Sequence, residues 1–234
     1  MFDWRSYVTG IVLMLKKFTL IDINKYEEVR NEDYASGIML LPVLGLAIGF
    51  FACFISAFRL FYDSFFISII EFAFYCIITK NVNLTDTYRT LNYIIKPKNG
   101  SEQISGIIGI ILICLLYIIL LKLVKIEAVI VAMSVGYCAL IVLSGIFERN
   151  KDGTSIMAYC TRNHIIVAFV ISFGASALIN YKLVVPLSLT YMLSGMIVSL
   201  IDKNIKILPY SIEGFIIETT QILFLILTYI FKIK

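Results

Sequence analysis

The sequence predicts an all-α, polytopic integral membrane bundle of six to seven transmembrane helices with an N-terminal interfacial helix. Three observations lead there. The apolar residues make up 60% of 234 residues and the charged ones only 15%, whereas soluble domains sit near half apolar and about a quarter charged. Mean hydropathy is +0.92. The apolar residues are also gathered into runs near the ~20 residues that a helix needs to cross a bilayer. In lipid each backbone amide must be satisfied within its own segment, so continuous runs of this kind form helices; a barrel would need short alternating strands.

Six runs are nearly free of charge: Ala35–Ala57, Ser64–Thr79, Gln103–Leu121, Ala128–Phe147, Ile165–Tyr181 and Leu183–Ile201. A seventh, Phe215–Phe231, carries Glu218; the shortest, Ser64–Thr79, carries Glu71. The spans use most of the chain, which predicts one helical membrane domain over 1–234: an interfacial or re-entrant helix at 1–20, a charged linker at 21–34 and the transmembrane bundle at 35–231. Trp4 and Tyr7 suit the headgroup level. Tyr7–Leu15 is short, ends in Lys16-Lys17 and lacks a small-residue cleavage site, so it does not read as a cleavable signal.

Fourteen of the 20 Lys and Arg residues fall in alternate connections that include Lys17, Lys80, Arg89, Arg149 and Lys203. The opposite connections hold Arg59, Lys122, Lys125, Lys182 and the C-terminal pair. The positive-inside rule then puts the N-terminus and the long polar loops in the cytoplasm of a multi-pass cell-membrane protein, as in a bacterial inner membrane. A net charge of +4 gives no reason to expect nucleic acid; membrane lipid is the expected surroundings. The cysteines, Cys53, Cys76, Cys114, Cys138 and Cys160, are five, and none forms a C-x-x-C pair, which reads as small apolar core residues. His164 is the only histidine, so a histidine-built metal site is excluded.

Gly45 and Gly49, in Leu41-Pro-Val-Leu-Gly45-Leu-Ala-Ile-Gly49, form a G-x-x-x-G face that permits close helix approach. Ser105–Gly109 and Gly195–Ser199 have the same spacing. Such faces suit intrachain packing, a homo-oligomer or a partner membrane protein.

In order along the chain, these pieces resemble the cobalamin-5′-phosphate synthase family, also called adenosylcobinamide-GDP ribazoletransferase. Leu15-Lys16-Lys17-Phe18-Thr19 stands where the family has Leu-Thr-Arg-apolar-Pro, with Lys17 in place of the Arg. Leu41, Pro42, Gly45 and Gly49 match its Phe-Pro-x-x-Gly-x-x-x-Gly span. Its acidic hallmark loop corresponds to Thr79–Tyr93, where Asn83 replaces His and Thr85, Arg89 and Asn92 occupy Asp positions. Glu102–Gly109 stands at the next motif, Arg149 at a later aromatic-x-Arg, and Ser211–Glu218 at Gly-Asp-x-x-Gly-x-x-x-Glu, with Ser211 for the Asp.

The resemblance implies transfer of a corrinoid phosphate group from its GDP-activated form to a ribose hydroxyl of α-ribazole or its phosphate, releasing GMP, with Mg²⁺. Its partners would be the corrinoid nucleotide and α-ribazole. Asp86, Asn83 and Arg89 are then the catalytic candidates. Lys17, Asn81, Thr85 and Arg149 are candidates for phosphate, and Asp86, Glu102, Glu213 and Glu218 for the metal. Two other readings stand beside it: a non-catalytic relative acting as scaffold or partner subunit, motivated by the replaced acids, and a small transporter, motivated by Glu71 and Glu218 inside apolar runs.

Overall fold

The computed structural model describes residues 4–23, 29–95, 102–146, 155–204 and 211–233. These residues form ten α-helices, short 3₁₀ turns and connecting segments, with no strand. In chain order the helices are α1 (Trp4–Phe18), α2 (Asn31–Ile38), α3 (Leu41–Ala57), α4 (Ser64–Ile78), α5 (Val82–Ile94), α6 (Glu102–Leu123), α7 (Ile126–Leu143), α8 (Arg162–Asn180), α9 (Val184–Asn204) and α10 (Ile212–Ile230).

Five helical stretches are long and apolar enough to cross a membrane, or six if the bent pair α4–α5 counts as one span. One of the five, Arg162–Lys203, runs over 42 residues. It folds back on itself at the 3₁₀ turn Tyr181–Leu183, because Phe169 and Phe173 of α8 both lie against the Tyr191 ring of α9, at 5.5 and 6.2 Å. The architecture is therefore the multi-pass helical bundle that the apolar runs predict.

Two helices form its axis. In α7, 78% of the spanning window is buried and in α10 72%, against 22% in the peripheral α6. Burial on all sides is possible for α7 because it is rich in small residues, Ala128, Ala132, Ser134, Gly136 and Ala139. A Cβ at Gly45 would lie 2.8 Å from the Met133 carbonyl oxygen of α7, and one at Gly49 would lie 2.5 Å from that of Ile130. The G-x-x-x-G face thus serves contact between α3 and α7 within the chain. Ser134 adds a hydrogen bond, its hydroxyl donating to the Pro42 carbonyl at 3.2 Å.

Three sequence expectations change. The run Ala35–Ala57 is not one helix: α2 ends at Ile38 and α3 begins at Leu41 with Pro42 in its first turn. Proline fits a first turn, where its missing N–H has no intrahelical partner. The linker at 21–34 is shorter than expected, since α2 starts at Asn31. It docks on α1 where Gly10 meets Gly37; a Cβ on Gly37 would sit 2.6 Å from the Gly10 carbonyl oxygen. The polar stretch after α4 is not a loop but helix α5, turned 87° from α4. The turn between them holds Lys80 and Asn81 in left-handed backbone conformations, φ 52° and 55°.

At the end of the bundle far from that turn, Arg59 is a structural cation and not merely a topological charge. One guanidinium nitrogen pairs with the Glu71 carboxylate and another donates to the Val124 carbonyl at 3.3 Å. Both side chains are largely buried, and removing one partner of such a pair strands the other. Arg59→Leu is therefore expected to destabilise the fold by about 3 kcal/mol. The double change Arg59→Leu with Glu71→Leu recovers most of that loss, as read by thermal unfolding in detergent; equal losses in the single and double variants would contradict the pairing.

Candidate functional site

The polar residues converge at the end of the bundle where α1 stops, α4 turns into α5 and α10 begins. The end of α1 is fixed first. Leu20 donates its backbone N–H to the Ile78 carbonyl of α4 at 2.8 Å. Phe18 is buried, edge-on to Tyr137 of α7 at 5.5 Å. That anchor leaves Lys17 aimed at α10, where its ammonium contacts Glu213 at 2.6 Å.

Glu213 joins three segments. One carboxylate oxygen takes Lys17; the other accepts from the Ser155 hydroxyl and from the Ile156 backbone N–H, each at 2.7 Å. The carboxylate also sits in the first turn of α10, where the helix dipole favours negative charge. Next to it, Gly214 lets α5 rest on α10: a Cβ there would lie 2.6 Å from Cβ of Asp86 and 2.7 Å from the Asn83 carbonyl oxygen.

α5 is amphipathic in an unusual way. Its buried face carries Asn83, Leu84, Thr87 and Thr90, so three of its four inward residues are polar. Asn83 donates through Nδ2 to the Tyr75 hydroxyl at 3.1 Å and reaches the Tyr137 hydroxyl at 3.5 Å. Tyr75 in turn donates to Glu218 at 2.5 Å. The Tyr75 oxygen thus links α4, α5 and α10 in the bundle interior. A second link sits beside it: Tyr117 of α6 donates to the Gln221 side-chain oxygen, and the Gln221 amide donates to the Met133 carbonyl at 3.3 Å. Asn83 Oδ1 and Glu218 Oε2 are buried without a hydrogen-bond partner.

Asp86 lies at the edge of that face, its side chain 20% exposed, with Arg89 one turn on at 3.8 Å and 67% exposed. α5 has too few residues, and too many polar ones, to cross a bilayer alone. Burial raises the Asp86 carboxyl from its ordinary value; Glu213 adds to the shift, while Arg89 and Lys17 oppose it. Lys17, Asp86, Arg89 and Glu213 therefore form one electrostatic group of two cations and two acids.

The other candidates are distributed around it. Asn81, in the turn before α5, and Thr85, on α5, are both exposed, unlike the inward Asn83. Glu218 lies five residues into α10 from Glu213, about 7.5 Å along the axis at ~1.5 Å per residue. Glu102 opens α6, its side chain outside the described set, and Arg149 lies outside the described residues. At the two described positions where the family resemblance expects Asp and the residue is buried or bonded inward, neutral groups make structural bonds. Thr90 donates to the Ser211 hydroxyl at 2.8 Å, and the Asn92 side chain accepts from the Gly106 N–H at 2.9 Å.

Magnesium requires hard oxygen ligands in an octahedron, usually one or two carboxylates completed by phosphate and water. Among the described residues, no three His, Cys, Asp or Glu side chains gather closely enough to hold a metal ion. Both oxygens of Glu213 already take donors, and one oxygen of Glu218 takes Tyr75 within the interior. The described side chains therefore supply no cage of three protein ligands. His164 is used elsewhere, its Nδ1 accepting the Thr161 N–H at 3.0 Å as α8 begins, and all five cysteines are free thiols.

Sequence reasoning reached Lys17, Asn83, Asp86, Arg89, Glu213 and, as a motif glycine, Gly214, but it missed Tyr75, Tyr137 and Ser155. Tyr75 had one available signal: a phenol deep in an apolar run needs a hydrogen-bond partner.

Comparison with known proteins gives one match across nearly the full length. The adenosylcobinamide-GDP ribazoletransferase of Alkaliphilus oremlandii (strain OhILAs) is 20% identical over 237 aligned residues, covering 95% of this chain and 98% of that protein. This supports a distant relationship. No family model matches, and no solved structure matches.

Tyr75→Phe removes the shared hydroxyl and leaves Glu218 and Asn83 without their common partner, an expected loss of about 2 kcal/mol. Gly214→Ala drives α5 off α10, and limited proteolysis near the Lys80–Asn81 turn should accelerate in both variants. Unchanged unfolding and cleavage in both would remove the interior link from this account.

Proposed function

We propose that the protein is a ribazoletransferase-like membrane enzyme of cobalamin biosynthesis. On this reading it transfers the adenosylcobinamide phosphate group from its GDP-activated form to a hydroxyl of α-ribazole or its phosphate. The supporting observation is the coincidence of two things: an end-to-end match to a protein of that name, and the gathering of Lys17, Asp86, Arg89 and Glu213 at one end of the bundle.

Transfer of a phosphate group depends mainly on positioning and on neutralising charge over the phosphoryl oxygens. Arg89 is the exposed cation that would meet the diphosphate first, and its planar fork suits paired phosphate oxygens. Lys17 would follow by exchanging part of its contact with Glu213 for phosphate. Asp86, whose carboxyl burial raises from its ordinary value, is placed beside both cations and would accept the proton of the attacking ribose hydroxyl. The hydroxyl oxygen forms the new bond to the corrinoid-bearing phosphorus, the bond to the GMP oxygen breaks, and GMP leaves. Asn83 supports this from beneath by holding α5. With the N-terminus in the cytoplasm, the group would face the compartment that contains nucleotides.

A second reading, a non-catalytic relative acting as scaffold or partner subunit, is favoured by one observation: among the described residues no three His, Cys, Asp or Glu side chains gather as a metal-binding group. One assay separates the two. Protein in nanodiscs, given adenosylcobinamide-GDP, α-ribazole and Mg²⁺, is expected to release GMP. Arg89→Ala and Lys17→Ala should each lower kcat/KM by roughly tenfold or more, the scale of one charge-assisted phosphate contact. No GMP release from folded protein, beside an active relative, selects the scaffold reading.

A further inference from the structure

Two apolar cavities open on the outer side of α3. One, of about 700 Å³, lies between α3, α7 and α8 against Phe50, Phe51, Ile130 and Gly174. The other, of about 220 Å³, lies between α1 and α3 against Ile11, Met14 and Leu15. Val43 and Ala47 line both, so the two form one groove along α3 from Leu40 to Phe51. Eleven helical steps at ~1.5 Å give a length of about 17 Å. That is close to one leaflet of a hydrocarbon core about 30 Å thick.

We propose that this groove holds one acyl chain of an anionic glycerophospholipid, with its phosphate at Lys16. Its α3, α7 and α8 walls belong to spanning helices, where the surrounding solvent is acyl chain. Its floor is open at Gly174, where an added Cβ would meet nothing within 4 Å. Val170 and Leu178, one turn to either side on α8, stand out at 66% and 89% exposed. The walls change along its length, from α1 near Leu40 to α7 and α8 near Phe51. A flexible chain follows that change, whereas a straight partner helix would have to bridge it.

Charge decides the headgroup. Leu15 lines the mouth and Lys16 follows it, paired with Asp22 at 3.1 Å with both side chains about half exposed. Exposed pairs of this kind are weak, so a lipid phosphate can take the ammonium. The proposal is independent of the transferase reading, because none of these residues belongs to the Lys17–Glu213 group.

Native mass spectrometry of the purified full chain, supplied with phosphatidylglycerol or phosphatidylcholine, tests it. The wild type is expected to retain one phosphatidylglycerol, preferred over phosphatidylcholine by roughly fivefold, the contribution of one lysine near a phosphate. Gly174→Leu and Ala47→Phe, both on open surface, should each lower retention by roughly tenfold through loss of apolar contact area, with helicity and melting temperature unchanged. Lys16→Gln should abolish the preference but not the binding. Equal retention in folded Gly174→Leu and Ala47→Phe overturns the groove, and equal retention of both lipids overturns the anionic assignment. A mass of two chains that Gly174→Leu dissociates would identify a second copy as the occupant instead.

Discussion

The site depends on one buried oxygen, the Tyr75 hydroxyl. It donates to Glu218 of α10 and accepts from Asn83 of α5, so a single phenol holds the far limb of the bent α4–α5 pair against the axis of the bundle. Apolar contact could not do this with the same direction, because hydrophobic burial has no preferred geometry. Among acyl chains the polar partners also have few alternatives, since leaving them unpaired is costly. The 87° bend is held by this bond beneath it and by Gly214, which lets the two helices touch.

The interior carries two kinds of polar link with different tasks. At the end away from the site, Arg59 and Glu71 close the α3–α4 hairpin. Glu71, an acid in an apolar run, thus has a buried cation as its partner. At the site end, the Lys17–Glu213 pair, the Thr90–Ser211 hydroxyls and the Asn92–Gly106 bond draw α1, α5, α6 and α10 together. Two positions at which the resemblance expects acids are thus occupied by short neutral groups that fasten helices.

The bundle was legible in the sequence because the run lengths match a bilayer, and the G-x-x-x-G face at Gly45 and Gly49 packs as its spacing suggests. Two elements were not legible. The break between α2 and α3 lies inside an unbroken apolar stretch, with only Pro42 to mark it. Helix α5 was hidden because its inward residues, Asn83, Thr87 and Thr90, are polar, so a search for apolar period finds nothing although the positions recur at helical spacing. The site was legible in part: Lys17, Asp86 and Glu213 came from resemblance, but the Lys17–Glu213 pair joins residues 196 apart in the chain, which no local pattern encodes.

The position of α10 in the chain also sets a timetable for biogenesis. Lys17, Tyr75, Asn83 and Ser155 all precede Glu213 and Glu218, which are the partners that organise them. While the earlier helices are being delivered to the membrane, α4 and α7 can enter and pack through their apolar faces, but the Tyr75 hydroxyl has no carboxylate to meet and α5 has no Gly214 to rest on. The polar cluster at this end is thus completed only once α10 is released from the ribosome and inserted. A nascent chain stalled before that point would carry most of the membrane scaffold and none of the finished site.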